Sequence, residues 1–196
     1  MLHDIEEHLR TREERRDQLA DRSRRLRRRS QVAMTALHAG TTPPPALAEI
    51  RQECAALAIA ARRAPSEPGV VLDGLQEATE AILLSAVLAG TELPGPTEVG
   101  VEPEVYLLGL GDLAGEVRRL ALRSLARGEV DAADRYLRFL DELVLTLLRF
   151  DAPRSIVSLK PKQDAARGIV ERTRGDVTLA RMLARVAGAP RRKAGS

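Results

Sequence analysis

The chain of 196 residues has no tryptophan and only four aromatic side chains, Tyr106, Tyr136, Phe139 and Phe150. Base stacking therefore cannot be the main source of any nucleic-acid affinity, and charge would have to supply it. A single cysteine, Cys54, excludes an internal disulfide. Set among alanines in RQECAALA, it reads as a small apolar core residue in a reducing compartment. The three histidines, His3, His8 and His38, all precede the first glycine. That leaves no ligand set for zinc and no Glu-x-x-His motif for a carboxylate-bridged iron site. No apolar run reaches the length of a membrane span, since AILLSAVLAG is about half of one. The N-terminus is charged from Asp4 onward and carries no secretory pattern, so a soluble, cytoplasmic protein without a membrane partner is expected.

What is present favours helix. Charged residues make up 30% of the chain, leucine, alanine, arginine and glutamate dominate, and strand formers are too sparse for a sheet. The length suits one domain. From Leu2 to Ala39 there is no proline or glycine, and Leu19, Ser23, Leu26, Ser30, Ala33 and Leu37 form a narrow seam at spacings of three and four. Such a seam predicts a long helix that touches its partner along a thin line and stops at Gly40. Thr42 is the expected cap of a second helix, with Pro43 in its first turn, running to about Ala64. A third helix is predicted over 70–89, a loop over GTELPGPTEVG, and a fourth helix from Pro103 to a left-handed cap at Gly128. Two more follow, over about 131–150 and 161–186. The predicted fold is all-α: one domain over 1–187, of six to seven antiparallel helices with a long N-terminal helix, and a disordered basic tail over 188–196.

The stretch YLLGLGDLAGE, residues 106–116, places Asp112 and Glu116 four apart on one face of an apolar helix, with no arginine before Arg118. Glu77 and Glu80 lie three apart in GLQEATEA on the helix before it. Each pair projects from one side of its helix, and short connections would let the pairs face each other. Four carboxylates in an apolar setting either take up protons or hold hard divalent cations, for which all-oxygen ligation suits Mg2+ or Mn2+. The glycines Gly111 and Gly115 would let a neighbouring backbone approach that face. The alternative is that each pair is a solvated or ion-paired helix face.

Six of the eight residues from Arg22 to Arg29 are arginine. The neighbouring Glu13, Glu14, Asp17 and Asp21 cannot neutralise them all, so part of the charge should seek phosphates or an acidic surface. Arg22, Arg24, Arg25, Arg28 and Arg29, extended by Arg118 and Arg119, are the candidate nucleic-acid contacts. A solvated charge run is the alternative.

Three blocks, GLQEATEA, YLLGLGDLAGEVRRLAL and LARGEVDAA, resemble the translin family, and its nucleolytic branch of translin-associated factor X and archaeal or bacterial relatives more than translin itself. The resemblance implies that Glu77, Glu80, Asp112 and Glu116 form an acidic metal centre for Mg2+ or Mn2+. It further implies an endoribonuclease acting on single-stranded RNA, or a binder of single-stranded RNA or DNA, inside a homo-oligomer, an octamer in that family. The rival to catalysis is a binding module of the translin type without turnover. A third reading is a helical assembly protein whose basic helix meets an acidic protein.

Overall fold

The computed structural model describes residues 2–41, 44–64 and 69–188. The expected cap at Thr42, Pro43 and the tail from residue 189 onward lie outside the described residues. Among them there is no strand, and seven helices follow one another: α1 (Leu2–Ala39), α2 (Pro44–Arg62), α3 (Gly69–Ala89), α4 (Pro96–Val99), α5 (Pro103–Ala126), α6 (Val130–Leu148) and α7 (Lys160–Gly188). The protein is all-α with a long first helix, as its composition requires. No described helix is long and apolar enough to cross a membrane.

Helix α1 ends as its sequence predicts. Gly40 takes φ +73, its N–H donates to the Leu37 carbonyl at 3.0 Å, and the Thr41 N–H reaches back to Ala36 at 2.9 Å. Two orphan carbonyls are thereby satisfied, in a conformation that a side chain with a Cβ resists. Gly128, with φ +76, closes α5 in the same way. One element departs from expectation. The stretch GTELPGPTEVG contains α4, because Pro96 opens a helical turn and the Glu98 carboxylate accepts the Gly95 N–H at 2.7 Å. This turn carries Val99 into the core, fully buried.

The chain divides into two compact units, residues 1–113 and 114–196, with α5 running through the boundary. In the first unit the seam of α1 is the buried line: Leu19, Ser23, Leu26, Ser30 and Ala33. They pack with Ile50, Cys54 and Leu57 of α2, Leu75 and Ile82 of α3, and Val99. Helix α1 comes closest to α3 where Ser23 meets Gly74. The Gly74 N–H donates to Ser23 Oγ at 3.2 Å, and a Cβ at position 74 would lie 2.6 Å from the Ser23 carbonyl oxygen and 2.9 Å from its Cα. In the second unit Ala121, Ala133, Leu137 and Val177 form a small core. There the Gln163 amide donates to the Leu147 and Phe150 carbonyls, each at 2.8 Å, and so satisfies the end of α6.

Three outcomes are expected. Gly74→Ala forces α1 off α3 against backbone atoms and should cost about 1–3 kcal/mol in urea unfolding. Gly175→Ala on α7, where nothing lies within 4 Å of the new Cβ, should instead stabilise by about 0.5–1 kcal/mol. Burial, with the nearby Glu53 charge, pushes the Cys54 thiol up to about 12. The thiolate is the reactive form, so a thiol reagent should leave the native protein unlabelled from neutral pH to about pH 9 and label it fully in denaturant.

Candidate functional site

Helix α3 is buried over most of its circumference from Ala78 to Ala86, and Glu80 lies within that stretch with only 8% of its surface exposed. A carboxylate so placed loses hydration worth several kcal/mol, which protein partners or an ion must offset. Glu77, one position round the helix, keeps 23% of its side chain exposed. It faces α1, where Gln31 Nε2 donates to its Oε1 at 3.3 Å and Arg27 approaches at 3.6 Å. Arg27 also lies 3.8 Å from Asp73, one turn earlier on α3.

The first half of α5 lies against α3 in antiparallel register, fixed at two points. A Cβ at Gly109 would meet the Thr79 side chain at 2.8 Å and the Gln76 carbonyl at 3.2 Å. One turn on, the Gln76 amide donates to Asp112 Oδ2. The absence of a side chain at Gly109 is thus what brings Asp112 to the α3 face carrying Gln76 and Glu80. Of the expected points of approach, Gly111 and Gly115, a Cβ added at Gly115 would meet nothing within 4 Å, and a close contact falls at Gly109. Its register, three residues before Asp112, puts it on the α3 side of α5. Glu116 follows Asp112 by one turn on the same helix and belongs to the second unit, where Arg119 stands 3.7 Å away.

For a hard divalent cation the donor chemistry fits: the donors are carboxylate oxygens, and Glu80 is embedded in an apolar helix. Magnesium needs only one or two protein carboxylates and completes its shell with water and substrate phosphate. Among the described residues no group of three or more His, Cys, Asp or Glu side chains is arranged to hold a metal. Glu77, Asp112 and Glu116 are engaged by Arg27 with Gln31, by Gln76 and by Arg119, and an ion would have to replace part of that company.

The arginine run distributes its charge inward more than its sequence suggests. Arg22 Nε donates to Glu53 of α2 at 3.1 Å, Arg29 pairs with Glu49, and Arg24 pairs with Asp21. Arg25 and Arg28 have no ion pair among the described residues. In the second unit Arg118 donates to Thr173 Oγ1 at 2.9 Å and lies 2.9 Å from Asp176. Sequence reasoning misses Arg27, Gln31 and Gln76 as partners of the acids. The signal for the first two is positional: 27 and 31 flank the buried seam at 23, 26 and 30, which is where α3 packs.

The translin family model matches residues 72–173, a little over half of the chain, which includes Glu77, Glu80, Asp112 and Glu116. An uncharacterised protein of Methanocaldococcus jannaschii is 33% identical over 114 residues, 58% of this chain. The chain spans about half the length of that relative, 51%. The crystal structure of apo-NeC3PO superposes with a TM-score of 0.82 over 91% of this chain and 96% of that one, at 24% identity, a likeness of fold. The structure of AfC3PO in complex with duplex RNA superposes with a TM-score of 0.79 over 93% and 97%, at 29% identity. By the match over its central helices and the agreement of fold, the chain belongs to the translin family.

Proposed function

We propose that the protein is a metal-dependent endoribonuclease that binds and cleaves single-stranded RNA within an assembly of like chains. The observation that carries this reading is the nearly buried Glu80 on α3, the helix whose Gln76, one turn earlier, donates to Asp112 of α5. A carboxylate set in so apolar a helix is where a hard cation gains most, because little water competes for it. Glu77, Glu80 and Asp112, with Glu116 one turn along α5, would hold Mg2+ or Mn2+. Such an ion supplies polarisation of a phosphate and an acidified water. The chain's own residues do the rest: Gln76 fixes one Asp112 oxygen, and Arg27 and Gln31 orient Glu77.

Nucleic acid as the ligand class is supported by family membership and by the relative AfC3PO, which holds duplex RNA. Exposed Arg25 and Arg28 supply charge toward a backbone, and Arg24 and Arg29 sit in exposed pairs worth about 0–1 kcal/mol, readily given up for a phosphate. An assembly, octameric in this reading, is supported by the apolar stripe Leu179, Met182, Leu183 and Val186 on α7, exposed at helical spacing.

A second reading, a binder of single-stranded RNA or DNA without turnover, is favoured by one observation. Glu77 and Asp112 already have protein partners, and no ready-made group of three ligands is present among the described residues. The two readings separate on one variant. With fluorescent single-stranded RNA, the wild type should cleave in Mg2+ or Mn2+ and stop in EDTA. Glu80→Gln should lose about 10²–10⁴-fold in rate while keeping its RNA affinity. Mn2+ titration followed by electron paramagnetic resonance should show weakened binding in the variant. RNA binding with equal absence of cleavage in both proteins would establish the second reading.

A further inference from the structure

The first unit carries a second concentration of positive charge that the acid site does not use. Between α1 and α2 lies a depression of about 400 Å³ lined by Arg15, Arg22 and Arg63, by Gln18, and by the small aliphatic surface of Leu19, Ala60 and Ala64. No carboxylate is among its described lining residues. Arg15 and Arg63 are exposed and have no ion pair among the described residues. Arg22 is the least exposed of the three, and Glu53 accepts only its Nε–H, at 3.1 Å. The remaining guanidinium donors stay available. The acids of α1 near this cleft are engaged elsewhere: Glu14 with Arg10, Asp17 with Arg16 and Asp21 with Arg24. Three guanidiniums around one opening repel one another, and an anion seated among them removes that repulsion.

Resting on the nucleic-acid reading above, we propose that this cleft is a subsite for the sugar-phosphate backbone of an RNA strand, gripping phosphate through Arg15, Arg22 and Arg63. The aliphatic part of the lining takes the sugar edge, and no aromatic residue among its described lining offers a stacking platform for the bases. Helix α1 connects the subsite to the acids. Arg22 and Arg27 are about 7.5 Å apart along its axis, and Arg27 is the residue that reaches Glu77. Arg22 meets Glu53 of α2 whereas Arg27 meets Glu77 of α3, so cleft and acids lie on different sides of α1, and the subsite sets affinity while the acids set turnover.

The test is binding of a fluorescent single-stranded RNA to the full chain in EDTA, by anisotropy across a salt series. Arg15→Ala/Arg63→Ala is compared with wild type, with Arg15→Lys/Arg63→Lys, and with Arg135→Ala/Arg154→Ala, which removes the same charge elsewhere. The cleft variant should bind about tenfold more weakly at low salt. Its log–log salt slope should fall by about 1.4, the loss of two single-strand phosphate contacts. The lysine variant should recover most of the slope, and the control should stay within about twofold of wild type. Equal behaviour of the cleft variant and the control overturns the subsite and leaves the nucleic-acid reading intact. Failure of the wild type to bind RNA even at low salt overturns that reading and the subsite with it.

Discussion

The first unit is organised by one close approach, that of α1 to α3 at Ser23 and Gly74. Two helices come into backbone contact only where one presents no side chain, and Gly74 is that place. The approach sets the register of everything further along. Starting from Ser23, the next turns of α1 carry Arg27 and Gln31 to Glu77, and the same seam buries Leu26, Ser30 and Ala33. Ser30 tolerates full burial because its hydroxyl donates to the Leu26 carbonyl at 2.9 Å within its own helix. A helix as polar as α1 thus gains its place from a thin line of small and aliphatic residues, and its charges are then fixed in space by that line.

The other face of α3 repeats the arrangement with α5. Gly109 allows the approach, and Gln76 with Asp112 marks its polar edge. The central helix is therefore pinned on two sides by glycines, and its acids emerge at the borders of the two contacts. Glu77 borders the α1 contact and Asp112 is held at the α5 contact, while Glu80 lies within the buried stretch of α3 itself. Neutral amides and a half-exposed arginine hold Glu77 and Asp112 in place. Such partners stabilise a carboxylate without matching the field of a divalent cation, so they orient these oxygens yet yield to a stronger charge.

Much of this is legible from the residues. The seam of α1, the stops at Gly40 and Gly128 and the apolar character of α3 around Glu80 follow from period, glycine position and composition, all local properties. What is not legible depends on register between helices. Whether Gly109 or Gly115 takes the close contact is decided by how α5 is rotated against α3, and the spacing of the acids does not determine that rotation. The short helix α4 is hidden because its capping glutamate, Glu98, lies inside a stretch whose prolines and glycines read as a loop.

The arginines illustrate the same division more sharply. Local sequence shows six in eight positions and too few acids nearby, which establishes an excess without saying where it goes. Tertiary packing answers part of that: Glu49 and Glu53 of α2 and Asp73 and Glu77 of α3 meet Arg29, Arg22 and Arg27. A net charge of only +3 is thus the sum of many internal pairs and a few uncompensated cations. Arg25 and Arg28 on α1 and Arg15 with Arg63 at the cleft are among the cations whose field extends into solvent, because paired charges cancel at a distance. Any attraction of this unit for an anionic chain would accordingly rest with these few side chains and not with the density of the run. Counting arginines in the sequence therefore overstates the run itself and overlooks Arg15 and Arg63, whose weight comes from the ion pairs that packing does not give them.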